Sequence, residues 1–261
     1  MEIVVCVKQV PDTTEVKIDP VTNTLVRQGV PSIVNPFDKN ALEAALQLKE
    51  KEGGKVTVVS MGPPQAKDAL KECLAMGADE AILISDRAFG GADTLATSYT
   101  IASAIKKIAT YDLILCGKQA IDGDTAQVGP EIAEHLGISQ ITCCSKFEVQ
   151  GDTLRVEREH EEGYEVIEGK FPLLATVVKS ANEPRFPTVR GTMKANRKEI
   201  PVWTLAEIEV DEKRIGLKGS PTQVSKIFTP PSRSGGQIIE AETPREAVAV
   251  LMQKLTDAKV I

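Results

Sequence analysis

This chain of 261 residues is poor in the residues that build metal centres and covalent active sites. It has 2 histidines, no C-x-x-C pair and 5 cysteines, most of which lie singly within apolar runs. That pattern argues against a metal site and a disulfide framework, and it favours reduced, buried thiols. His135 and His160 are far apart in the sequence, so no Ser-His-Asp or Cys-His arrangement is predicted. Any chemistry would be carried by a cofactor.

Long hydrophobic runs, basic clusters and a leader sequence are also lacking. The longest apolar stretches have the length of a strand, which predicts no membrane span. A net charge of −6 without a basic run argues against a nucleic-acid surface. Residues 1–3 lead directly into a strand pattern, with no basic region or cleavage site, so we expect a cytoplasmic protein.

The first 146 residues alternate between strand and helix patterns. Strands are predicted at 2–7, 55–61, 80–84, 112–116 and 140–144, and helices at 36–52, 64–75, 94–108 and 126–136. This alternation predicts an α/β fold with a parallel sheet covered by helices. Two short strand patterns, 16–18 and 24–26, predict a small hairpin inserted before the first helix.

The pattern changes after residue 147. Short strands are predicted at 146–149, 154–159, 164–168 and 173–179, the last of which is placed to join the main sheet. Little periodicity follows until a final helix at 244–255. Spaced apolar residues favour an extended arm lying on a partner over a disordered tail; they are Trp203, Ile208, Ile215, Ile227 and Phe228. We therefore predict an α/β domain at 1–180 and an arm with a C-terminal helix at 181–261.

Residues 115–130 combine a strand, a loop of small residues and a helix start. This geometry presents free backbone N–H groups to a phosphate, although the chain has neither G-x-G-x-x-G nor a P-loop. The small residues that permit close approach are Gly117, Ala120, Gly123, Ala126 and Gly129. The residues alone leave two interpretations open. Either a nucleotide binds here, or Thr125 caps the helix and the glycines form a turn. Asp122 and Asp124 form a carboxylate pair that suggests acid–base work, but without an accompanying histidine or nucleophile we expect a role in the turn and cap.

A second glycine-led helix start lies at 90–94, where Asp93 either caps the helix or contacts a second phosphate or ribose. Ligands of open parallel sheets gather at the carboxyl ends of the strands. We therefore expect the two helix starts and residues 35–38 to converge if the first and fourth strands are neighbours.

Several motifs together resemble the β subunit of electron-transfer flavoproteins. They are V-K-Q-V-P-D-T at 7–13, V-N-P-F at 34–37, A-M-G-A-D at 75–79, G-K-Q-A-I-D at 117–122, a signature across 156–172 and N-E-P-R at 182–185. Ala175 is a small departure, because that signature usually has a larger aliphatic residue there. The resemblance runs over nearly the whole chain.

The resemblance implies an adenine-nucleotide-hydrolase-like, Rossmann-like fold and a heterodimer with a larger α subunit that holds FAD. Ordinary members bind structural AMP in the β subunit, whereas electron-bifurcating members bind a second FAD against which NADH docks. The sequences G-D-T-A-Q-V-G-P at 123–130 and G-A-D-T at 91–94 resemble the bifurcating clostridial type.

Site residues follow from the resemblance position by position. The cofactor-binding residues are Cys6, Val7, Asn35, Pro36, Phe37, Asp38, Met61, Ala120, Asp122, Gly123, Asp124, Thr125, Ala126, Gln127, Val128 and Gly129. Contacts to NADH are expected from Asp93 and Thr94. The segment that docks partner enzymes is expected at Asn182, Glu183, Pro184 and Arg185.

The expected function is that of the β subunit of a bifurcating electron-transfer flavoprotein. FAD in this subunit would take a hydride from NADH. One electron would pass to ferredoxin or flavodoxin, and the other through the α-subunit FAD to an acyl-CoA dehydrogenase or reductase. Two alternatives remain: a non-bifurcating carrier with structural AMP, and a stand-alone adenine-nucleotide-binding regulatory protein of universal-stress type.

Overall fold

The computed structural model describes residues 1–12, 31–108, 110–222, 224–225 and 235–261, and the predicted hairpin at 16–18 and 24–26 lies outside them. The described strands are β1 (Glu2–Cys6), β2 (Gln9–Pro11), β3 (Ser32–Val34), β4 (Lys55–Met61), β5 (Glu80–Ile84), β6 (Leu113–Gly117), β7 (Ser139–Gln150), β8 (Thr153–His160), β9 (Gly163–Lys170), β10 (Leu173–Val177) and β11 (Val202–Trp203). The described α-helices are α1 (Pro36–Glu52), α2 (Lys67–Met76), α3 (Thr94–Lys107), α4 (Val128–Leu136), α5 (Val189–Arg197) and α6 (Pro244–Asp257).

The main sheet is mixed and mostly parallel. Its order is β11-β5-β4-β1-β6-β10-β7-β8-β9, and only the β7–β8 and β8–β9 pairs of this sheet are antiparallel among the described strands. β1 lies between β4 and β6, with Cys6 opposite Cys116. The first and fourth predicted strands are therefore neighbours, as the convergence of the site required. The α/β class with a helix-covered sheet is confirmed.

Each face of the sheet is covered by its own pair of helices. Because successive side chains of a strand point to opposite faces, Ile3 and Val5 pack towards Leu42 of α1 in one core cluster. Val4 packs in the other cluster with Ile105 of α3 and residues of α4. Strands buried on both faces read as continuous apolar runs, which is why their positions were predictable.

The strand patterns at 140–144 and 146–149 form one strand, β7, rather than two. A change of register between Cys144 and Lys146 divides its pairing with β8. Cys143 has a φ of 58°, in the left-handed region, and its N–H donates to Thr176 Oγ1 at 3.0 Å. The local irregularity interrupts the alternation of side chains, and a single bulged strand therefore looks like two in the sequence.

The first half of the predicted arm lies on the chain's own domain. β11 adds to the sheet beside β5, and α5 packs on α2, where Ala195 is buried. Ile208 and Ile215 are buried in the cluster that contains α3, with Trp203 packed against it. These apolar residues therefore fill this chain's own core, whereas Ile227 and Phe228 lie outside the described residues.

The C-terminal helix of the predicted arm has no face that the described residues bury. The helix predicted at 244–255 is α6, and none of its residues is buried. Val248, Leu251 and Met252 are among its exposed apolar side chains. The arm hypothesis therefore applies to residues 235–261. Among the described residues, no helix has both the length and the apolar character that crossing a bilayer requires.

Candidate functional site

The predicted cofactor residues converge at the carboxyl edge of the sheet. β1, β4 and β6 run parallel, so Cys6, Met61 and Gly117 end neighbouring strands on the same side. Val7 continues this ladder by donating its N–H to the Val59 carbonyl at 2.9 Å. This edge is where the loops of an open parallel sheet bind ligands.

Asn35 joins the start of α1 to the loop after β6. Its Nδ2 donates to the Gln119 carbonyl at 2.8 Å, and its Oδ1 accepts the Ile121 N–H at 3.1 Å. Its own N–H donates to the Lys8 carbonyl at 2.9 Å. Asn35 is fully buried and uses both ends of its amide, so it fixes the path of the loop rather than contacting solvent.

Asp38, in the first turn of α1, links the ends of two adjacent strands. Its carboxylate accepts the N–H of Lys8 at 2.7 Å and the N–H of Gly117 at 3.1 Å. Burial raises the pKa of Asp38 from 3.8 to about 7, although both hydrogen bonds act in the opposite direction. Glycine is required at 117, since a Cβ there would lie 2.3 Å from Asp38 Oδ1 and 2.7 Å from the Phe37 carbonyl carbon.

The two aspartates of the loop are held by other side chains. Lys8 Nζ contacts both Asp122 oxygens, at 2.7 and 2.8 Å, and Gln119 Nε2 donates to Asp124 Oδ1 at 2.7 Å. Asp124 and Ala126 have φ values of 50° and 53° in the left-handed region. The contacts support the turn interpretation of the aspartates, and the unusual backbone is typical of a preorganised binding loop.

The N-terminus of α4 has no side-chain cap, so Thr125 does not cap this helix. The backbone N–H groups of residues 125–129 donate to no acceptor within the part of the chain that the structure describes. A Cβ added to Gly123 would meet nothing within 4 Å, which leaves the loop open, whereas one at Gly129 would lie 2.8 Å from Thr176 Cγ2. Unpaired N–H groups at a helix N-terminus favour an anion, so these residues fit the phosphates of FAD or AMP.

The second helix start lies beside the first. Thr94 Oγ1 is 3.1 Å from Glu131 Oε1 and 3.3 Å from Gln127 Oε1, so the first turn of α3 contacts α4. Asp93, in contrast, is already used within the chain: it caps α3 through the Ala96 N–H at 3.0 Å and accepts the Thr222 N–H at 3.0 Å. The Thr94 hydroxyl therefore contacts side chains at the start of α4, whereas the Asp93 carboxylate is bound to the backbone of Ala96 and Thr222.

The predicted docking segment is attached to α1 by two of its four residues. Asn182 and Asn40 exchange hydrogen bonds, with Asn40 Nδ2 at 2.7 Å from the Asn182 carbonyl and Asn182 Nδ2 at 3.1 Å from the Asn40 carbonyl. Arg185 forms ion pairs with Glu43 and Glu50. Pro184 is half-buried and Glu183 is exposed. The next residue, Phe186, is 89% exposed.

Sequence reasoning did not identify Lys8, Asn40 or Glu43 as site residues. Asn40 and Glu43 are polar residues on the face of α1 that packs against the core, and that position was the available signal. Buried polar side chains need partners, and the partners here come from distant segments, near residues 182–185. Their pairing could not be read from local sequence patterns.

Comparison with known proteins agrees with the geometry. The model of the electron transfer flavoprotein domain matches residues 22–208. The electron transfer flavoprotein β subunits of Megasphaera elsdenii and Clostridium acetobutylicum are 60% and 59% identical, each comparison covering 100% of both chains. Subunit CarD of the caffeyl-CoA reductase-Etf complex of Acetobacterium woodii is 52% identical, again over 100% of both chains.

These relatives extend over the arm as well as the α/β domain, which removes the basis for a stand-alone regulatory protein. The fold, the open loop before α4 and the full-length similarity lead to one assignment. The chain belongs to the electron-transfer flavoprotein family, as a β subunit.

Proposed function

We propose that this chain is the β subunit of an electron-bifurcating electron-transfer flavoprotein and that it binds FAD, with NADH as the electron donor. The fold type is proposed to be adenine-nucleotide-hydrolase-like. The observation that carries the proposal is the uncapped N-terminus of α4 beside the start of α3, where the N–H groups of residues 125–129 have no acceptor among the described residues. Two neighbouring helix starts at one edge of the sheet support a proposal of two bound dinucleotides, because a helix N-terminus favours a phosphate.

The residues of this chain bind and orient the cofactor. The N–H groups of residues 125–129 would hold the pyrophosphate, while Asn35, Asp38 and Lys8 fix the preceding part of the loop, at residues 117–122. When bound, FAD supplies the ability to accept a hydride and to release electrons singly. Thr94 is proposed to contact NADH at the adjoining helix start. The remaining proposed cofactor contacts are Cys6, Val7, Pro36, Phe37, Met61 and Ala120.

The proposed partners follow from the exposed surfaces. The uncovered apolar side chains of α6 are expected to pack on an α subunit, since such a patch is unfavourable in water. The segment at 182–186 would dock an acyl-CoA dehydrogenase or reductase, and a relative named as part of a caffeyl-CoA reductase complex supports this. Ferredoxin or flavodoxin is the proposed low-potential acceptor, and the proposed location is the cytoplasm.

A count of bound nucleotides tests the proposal. The purified heterodimer with its α subunit would be denatured, and FAD and AMP quantified by chromatography. We expect two FAD per heterodimer and loss of flavin absorbance when NADH is added anaerobically. One FAD plus one AMP, with no response to NADH, would overturn the proposal and support an ordinary carrier with structural AMP.

A further inference from the structure

The segment that precedes α5 is held against α1 by a network of polar contacts. Asn40 Nδ2 lies within hydrogen-bond distance of the Lys179 carbonyl as well as the Asn182 carbonyl, at 3.2 and 2.7 Å. Asn182 returns a hydrogen bond to the Asn40 carbonyl. Two asparagines thus fix the beginning of the segment, and the contacts are partly screened from water.

Glu43 is the centre of the network. Arg185 Nε donates to Glu43 Oε2 at 2.8 Å and Arg185 Nη2 to Glu43 Oε1 at 3.0 Å, a bidentate pair. The backbone N–H of Arg185 also donates to Glu43 Oε2, at 3.1 Å. Glu43 is only 4% exposed, whereas the Arg185 side chain is 33% exposed, so these charge-assisted bonds are partly screened from water. Glu50, seven residues further along α1, accepts a hydrogen bond from Arg185 Nη2 at 3.2 Å.

The same helix holds the nucleotide loop. The first turn of α1 fixes residues 117–121 through Asn35 and Asp38, and the face at 40–50 fixes residues 179–185. A helix rises about 1.5 Å per residue, so these two sets of contacts lie within roughly 20 Å along one rigid element. Breaking the pair would leave the Glu43 carboxylate, which is nearly inaccessible to solvent, without its cationic partner, and this cost keeps the segment in place.

We propose that Glu43 is a positioning residue. Through Arg185 it holds the docking segment so that Phe186 and Val189, which are both exposed, are presented at a fixed distance and orientation from the nucleotide site. The partner is the acyl-CoA dehydrogenase or reductase that we propose to dock on this segment, and the exposed Phe186 and Val189 offer it an apolar contact. This inference rests on the proposed docking function of residues 182–186.

Electron-transfer kinetics of the intact heterodimer test the role. In Glu43→Gln the bidentate charge is lost, and we expect the KM for the dehydrogenase partner to rise about tenfold while kcat at saturation stays within about twofold. Arg185→Lys, which keeps the charge but loses the planar fork, should raise the same KM. The matched control is Glu52→Gln, another carboxylate of α1, which should leave the KM unchanged. An unchanged KM in Glu43→Gln, or a loss confined to kcat, would overturn the proposal.

Limited trypsin digestion tests the positioning independently of docking. The Arg185–Phe186 bond should be cleaved about tenfold faster in Glu43→Gln than in the wild-type heterodimer, with Glu50→Gln intermediate because Glu50 is the more exposed partner. Equal cleavage rates would refute the positioning role. Faster cleavage without any partner-dependent electron transfer in the wild type would refute the docking function alone.

Discussion

Asp38 should make the stability of this protein depend on pH between about 4 and 7. Its pKa is 3.8 in the absence of perturbation and about 7 in the folded chain, because burial disfavours the charged carboxylate. Below about pH 4 the group is protonated in both states and has no effect. As the pH rises, the unfolded chain releases the proton first, so the free energy of unfolding falls by about 1.4 kcal/mol per pH unit.

The total loss attributable to Asp38 is about 4 kcal/mol once the pH exceeds 7, from a pKa difference of 7 minus 3.8. Asp38→Asn removes this titration. The new amide has one acceptor for the N–H groups of Lys8 and Gly117, and its NH₂ faces one of them, which costs about 1–3 kcal/mol at every pH. Relative to the wild type, the variant should therefore gain stability as the pH rises from 5 to about 7 and change little from there to pH 8.

The assay is urea unfolding of the wild-type and Asp38→Asn proteins at four pH values between 5 and 8, with Asp152→Asn as the control. Asp152 lies in the exposed turn before β8, so its amide variant should follow the wild type at each pH. The informative quantity is the change in the wild-type-minus-variant difference with pH, because other titrating groups cancel. A difference that stays constant within about 0.5 kcal/mol would refute the raised pKa of Asp38.

Further substitutions test other parts of the site. Gly117→Ala should destabilise the protein by about 2–3 kcal/mol in urea unfolding, because its Cβ would overlap the Asp38 carboxylate; wild-type stability would contradict the close approach. Gly123→Ala should change stability by less than about 0.5 kcal/mol, since its Cβ would meet no atom within 4 Å. The same Cβ would occupy space beside the proposed phosphate site, so nucleotide binding measured by calorimetry should weaken about tenfold. Asp93→Ala should lower the unfolding free energy by about 1–2 kcal/mol through loss of the α3 cap and the Thr222 contact; an unchanged melting curve would argue against both bonds.

Part of the candidate site could be predicted from the sequence because it consists of local features. The loop at 117–129 combines small residues with a helix start, and both are local features. Only the structure could show that α4 lacks a side-chain cap, because Thr125 is a residue type that commonly caps helices. The ion pair between Glu43 and Arg185 joins residues 142 positions apart, and no local sequence pattern could predict that contact.

The sequence by itself determined most strand and helix positions of the α/β domain, since buried strands and amphipathic helices carry their periodicity locally. The bounds of α1, β4 and β5 agree with the predicted ranges. The family resemblance was also contained in the sequence. Tertiary structure alone decided that β11, α5 and residues 208–215 belong to the chain's own core. β11 has two residues, which are too few to show a hydrophobic period in the sequence. It is stabilised by pairing with the edge of β5, and the two segments meet only in the folded chain.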